Sequence, residues 1–175
     1  SNTSIGHESL VANTTASNNT AVGKGSLTTN TTGANNVAVG FTALTANTTG
    51  GDNVAIGSQS LLANTTGGDN VSIGTDAMQS NTTGTDNVAI GKDCMLTNNA
   101  SNNVAIGNQA LTANSTGTYL VALGNESLKA NTTGNSNVGI GAWSLLANTT
   151  GAENIGIGHD ALKASTTGTR NLAIG

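Results

Sequence analysis

The sequence predicts an all-β fold, a parallel β-solenoid of about ten 17-residue coils, and three observations carry that prediction. One unit recurs from end to end of the 175 residues. Each copy opens on Asn-Val-Ala-Ile-Gly or a close variant, where branched apolar residues flank a small one. Each closes on Asn-Thr-Thr-Gly or a variant of it, a run rich in turn-forming residues. A period this short cannot hold a helical pair, which needs about 33 to 47 residues.

The units begin at Asn2, Asn19, Asn36, Asn53, Asn70, Asn87, Asn103, Leu120, Asn137 and Asn154, with a partial copy from Asn171. Every step is 17 residues except that from Asn87 to Asn103, which is 16, because "TNNASN" lacks one turn residue. Leu120 for Asn, Ala16 for Gly and Ser165 for Asn are the clearest departures. The chain reads as one repeat array over residues 1–175, a fragment of a longer fibre, since it begins and ends inside a unit.

Within a unit, the second and fourth positions are mostly Val and Ile, as in Val54 with Ile56, Val88 with Ile90 and Val104 with Ile106. The third is small: Ala38, Ala55, Ser72, Ala89, Ala105. Alternate strand residues point to opposite faces. The pattern therefore predicts a strand covered on both faces. Val and Ile are expected to enter the coil's own core, with the small residues facing another chain. Later in the unit, the ninth position (Leu61, Leu111) is expected in the core, with Ser58, Gln59 and Leu62 at or near the surface. Freedom at the sixth, seventh and tenth positions fits a short helical turn, because those positions share a helix face. A bent second strand is the alternative.

Composition narrows the function. Charged residues make up 8%, aromatics 2%, and the net charge is −4. The absence of a basic cluster argues against nucleic acid and anionic membranes. No apolar run approaches the roughly 18 residues that span a bilayer, and no secretory signal opens the chain. No cofactor is expected. Catalysis is not expected either. His7 and His159 sit at the free sixth position nine repeats apart, and the lone Cys94 replaces Ala or Ser at a small position with no base nearby in the pattern. Phe41, Tyr119 and Trp143 form no stacking platform.

Two ladders could carry binding. Asp52, Asp69 and Asp86 close three successive units and are weak candidates for a Ca²⁺ site, although the calcium-binding Gly-Gly-x-Gly-x-Asp motif is absent. A solvated edge is the plainer reading. The pairs Thr48-Thr49, Thr65-Thr66 and Thr82-Thr83 would stack into threonine rows, as on ice-binding solenoids, though adjacent strand residues point opposite ways. The Asn-x-Thr triplets, such as Asn64-Thr65-Thr66, are glycan acceptors only in a eukaryotic secretory route.

Together, "NVAIG", small-Leu and "NTTG" resemble the head repeats of YadA-like trimeric autotransporter adhesins and the related arrays of phage and viral tail fibres. The likeness runs from Ile5-Gly6 to Ile174-Gly175. It implies a left-handed β-roll, three identical chains around a common axis, and an extracellular, cell-surface or virion-surface location. It also implies a stiff shaft or head that meets a host-cell or surface glycan or protein, with no membrane insertion in this segment. The added Leu and the longer "ANTTG" turn depart from the usual Gly-x-x-Ala-x-Ala-x-Gly unit, so only fold and general role carry over. An ice-binding solenoid and a repetitive spacer bearing an active tip elsewhere are the competing readings.

Overall fold

The computed structural model describes residues 1–175, and it is an all-β parallel solenoid without a helix. Eleven three-residue strands, β1 (Thr3–Ile5), β2 (Thr20–Val22), β3 (Val37–Val39), β4 (Val54–Ile56), β5 (Val71–Ile73), β6 (Val88–Ile90), β7 (Val104–Ile106), β8 (Val121–Leu123), β9 (Val138–Ile140), β10 (Ile155–Ile157) and β11 (Leu172–Ile174), form one sheet in chain order. Each strand pairs in parallel with the same unit position in the next coil. Val54 lies beside Val71, Ala55 beside Ser72, and Ile56 beside Ile73. The 16-residue step does not disturb this: Val88 still pairs with Val104.

The strand faces are the reverse of those read from the sequence. Ala38, Ala55, Ser72, Ala89 and Ala105 have no exposed surface and lie inside the coil of their own chain. Val54, Val88, Val104 and Ile90 are only half-buried, while Ile56 is 38% and Ile106 42% exposed. The reason is the width of the coil. A third-position side chain meets the eighth- and ninth-position side chains directly across a narrow interior. The Ser60 hydroxyl donates to the Ser72 carbonyl at 2.9 Å, and the Cys94 thiol donates to the Ala105 carbonyl at 3.3 Å. At Gly139 an added Cβ would stand 2.6 Å from Ser127 Oγ and 3.3 Å from Leu128 Cγ. A branched residue has no room there, so Val and Ile face outward.

The core is consequently a stack of ninth-position residues. Leu27, Leu44, Leu61, Met78, Met95, Leu111, Leu128 and Leu145 are all fully enclosed. The segment that carries them is neither of the two alternatives left open by the sequence. It is a run of turns in which the seventh and ninth residues are left-handed, as in Gln59 at φ 58° and Leu61 at φ 52°. Two reversals in three residues aim Leu61 inward, and Ser58, Gln59 and Leu62 end up half-buried. Left-handed backbone also explains why this rank is Leu or Met and never Val or Ile, since β-branched side chains tolerate that region worst.

Candidate functional site

Two asparagine ladders occupy the interior opposite the leucines. Asn64 Nδ2 donates to Asn47 Oδ1 one coil back at 2.9 Å and to the Gly67 carbonyl of its own turn at 2.9 Å. Asn53 Nδ2 reaches the same Gly67 carbonyl at 2.9 Å, while Asn36 Oδ1 accepts from both the Asn53 backbone N–H and its amide. These asparagines are fully buried. Buried amides are tolerable when every group is paired, and the repeat pairs them coil by coil. The Asn of each buried Asn-Thr-Thr triplet is therefore committed to the fold and closed to a glycosyl group.

Breaks in the repeat leave visible gaps in these ladders. Asn81 Oδ1 and Asn148 Oδ1 are buried without a donor. The first lies at the 16-residue coil, where Asn98 Nδ2 keeps its own-turn bond, to the Ala100 carbonyl, but makes none back to Asn81. The second follows from Ser165, which stands where the next ladder asparagine belongs. At the short coil, Asn99 Oδ1 replaces the missing backbone carbonyl and accepts from the N–H groups of Thr82 and Thr83 at 2.9 and 3.0 Å. Ser165→Asn is expected to complete the second ladder and stabilise the last full coil by about 1 kcal/mol. Slower amide hydrogen exchange across residues 148–168 is the measurement that checks it.

The candidate Ca²⁺ ladder has another explanation. Asp52, Asp69 and Asp86 are exposed, all have φ of 58–59°, and no group of three His, Cys, Asp or Glu side chains in the structure is arranged to hold a metal. The position requires a left-handed residue, which Asn and Asp adopt most readily after Gly. Asn18, Asn35 and Asn102 fill it elsewhere. At the far end of the same rank, Arg170 Nε donates to Glu153 Oε2 at 2.8 Å, holding that carboxyl below its ordinary range.

The threonine pairs lie in bends rather than in a strand. The first hydroxyl of each pair is already bonded: Thr48 donates to the Thr65 carbonyl and Thr65 to the Thr82 carbonyl, each at 3.0 Å, and Thr82 donates to Asn99 Oδ1 at 2.9 Å. The second is exposed, giving one outward row that includes Thr49, Thr66 and Thr83. Cys94 is enclosed, and burial pushes its thiol up to about 12, so it stays protonated near neutrality and is a poor nucleophile. His7 and His159 are exposed near opposite ends of the sheet. Trp143 packs edge-on to His159 at 5.0 Å, with Lys163 Nζ 4.9 Å from its ring centroid.

The feature that remains is the outward strand face. Second- and fourth-position Val, Ile and Leu run without a polar interruption from Val37 to Ile157, half-buried for the most part and exposed at Ile56, Ile106 and Ile155. Sequence reasoning found these residues but gave them to the wrong side of the strand. The fold and its repeat define a β-solenoid repeat protein. No protein-family model, curated protein or solved structure matches the chain.

Proposed function

We propose that this chain is a shaft or head segment of an extracellular homotrimeric fibre, of the adhesin or phage tail-fibre kind, wound as a left-handed β-roll. The observation that carries the reading is the outward, half-exposed Val/Ile/Leu face. A continuous, partly exposed apolar face of this kind favours an interaction surface, and a face repeated on every coil suits a partner with the same repeat. Three copies packed on it would bury the outward residues around a common axis. Ten coils at about 4.8 Å each make a rod near 50 Å, and its repeated outer surface favours weak contacts that add by multivalency. A glycan or protein on a host cell or other surface is the matching class of target.

Light scattering on the purified segment is expected to show three chains; a well-folded monomer overturns the reading. Deleting residues 53–86, two whole coils, is expected to shorten the rod by about 10 Å and leave it folded, because each coil contacts only its neighbours. Collapse of that variant, or turnover of any substrate by the segment, counts against a structural role. The exposed Thr49, Thr66 and Thr83 row favours one second reading, an ice-binding surface, for which thermal hysteresis is the test.

A further inference from the structure

Thirteen asparagines of the chain open an Asn-x-Ser/Thr triplet, the motif that accepts an asparagine-linked sugar. The fold sorts them sharply. Eight, Asn64 and Asn70 among them, are fully buried in the ladders. Asn64 Nδ2 carries two hydrogens and both are bonded, one to Asn47 Oδ1 and one to the Gly67 carbonyl. Asn2 and Asn13 each donate to the Ala16 carbonyl, at 2.9 and 3.1 Å. Asn18 donates to Asn35 Oδ1 at 3.2 Å, and the threonine of its triplet is held in β2. Asn125 donates to the Asn108 carbonyl at 3.2 Å. The hydroxyl of its triplet, Ser127, is fully buried and donates to the Gly139 carbonyl at 3.0 Å. Asn99 alone differs. It lies in the 16-residue coil, is exposed, and holds the N–H groups of Thr82 and Thr83 through Oδ1, while its Nδ2 donates to no other group. Its triplet closes on the half-buried Ser101, whose Oγ accepts from the Thr85 N–H at 2.9 Å and whose own proton is uncommitted.

From this arrangement we infer that Asn99 is the glycan-acceptor site of the folded chain, taking a sugar from a diphosphate-linked donor, and that folding must precede the transfer. In that reaction Asn99 Nδ2 attacks C1 of the sugar. The N–C1 bond forms, the C1–O bond to the diphosphate breaks with its electron pair leaving on the diphosphate, and one Nδ2 hydrogen departs as a proton to a base of the transferase. The product keeps the amide carbonyl, so the bonds from the Thr82 and Thr83 N–H groups to Oδ1 survive. The same step at Asn64 removes one of its two bonds and drives a sugar ring between stacked coils. Repeated at every buried triplet, it takes apart the ladders that satisfy the interior. A chain modified before folding therefore cannot build them. The short coil also gains a purpose, since "TNNASN" places an acceptor amide outside the ladder that buries the others. None of this depends on whether copies of the chain associate.

The test uses UDP-glucose and a soluble asparagine glucosyltransferase chosen because it modifies peptides spanning residues 60–70 and 95–105 alike, so that local sequence favours neither triplet. The folded segment is expected to gain one hexose, mapped to Asn99 by peptide mass spectrometry. Asn99→Asp keeps an oxygen for the Thr82 and Thr83 N–H groups but has no amide nitrogen. That variant is expected to retain its β-sheet circular dichroism and to gain no sugar. A folded segment that stays unmodified while the 95–105 peptide reacts overturns the assignment, and so does hexose on Asn18, Asn125 or any buried ladder asparagine of the folded chain. An Asn99→Asp variant that still gains the hexose overturns it as well.

Discussion

Leu61→Asp is expected to destabilise the solenoid by roughly 4 kcal/mol or more. Leu61 has no exposed surface and stands in the core stack between the coils of Leu44 and Met78. An aspartate there loses the apolar contacts and places a carboxylate where no cation lies. The backbone is not the obstacle, because φ at this residue is 52°, a conformation Asp accepts. The deficit therefore reports the charge and the lost packing alone. Burial raises the carboxyl of such a residue above its unfolded value, so its neutral form favours the folded state. The deficit should accordingly shrink as pH falls through the carboxylate range and be largest near neutrality. Leu61→Met, which reproduces Met78 and Met95, should cost less than about 1.5 kcal/mol. Leu61→Ile should cost more than the methionine variant, since a β-branched residue is strained at this φ. Denaturant midpoints of the three variants give the order, and an unchanged midpoint for the aspartate variant would remove Leu61 from the core.

Gly57→Val is expected to be comparably damaging, by roughly 2–6 kcal/mol from backbone strain and overpacking together. Gly57 follows β4 with φ 132°, and a Cβ on it would stand 2.5 Å from the Gly74 carbonyl oxygen of the next coil. That contact is with backbone, which cannot rotate away. Relief requires the two coils to separate where the Gly74 N–H donates to the Ile56 carbonyl at 2.8 Å. Gly40, Gly74, Gly91 and Gly107 stack in the same rank with the same close approach. Gly68→Ala is the control. Its Cβ would meet the Gly51 carbonyl oxygen at 3.1 Å, its φ needs no glycine, and Ala34 and Ala152 occupy that rank naturally. It should change stability by less than about 1 kcal/mol. Equal losses from the two substitutions would mean that glycine in the Gly57 rank is not retained for coil spacing.

The fold was legible in the sequence because a solenoid repeats its chemistry at a fixed step. The 17-residue period, a short strand in each coil and the closing turns follow from spacing alone, and so does the parallel register, since identical units stack like on like. Leu61 and Leu111 were readable as interior because only Leu or Met fills their rank. The interruptions at residues 98–103 and at Ser165 were visible too, and each left one ladder oxygen unpaired.

Which side of the strand faces inward was not legible. Alternation separates Val54 and Ile56 from Ala55, but both faces of this strand are constrained, so the usual contrast between a polar and an apolar face is missing. Only the tertiary structure settles it, through the distance across the coil: Ser60, Leu61 and their counterparts fill the interior and leave the width of an Ala, Ser or Gly beside them. The same limit applies to Asp52, Asp69 and Asp86. In sequence they read as a row of charge, whereas in three dimensions they mark a left-handed corner. Residue type and period are properties of the chain, but burial and backbone sign depend on how closely one coil lies against the rest.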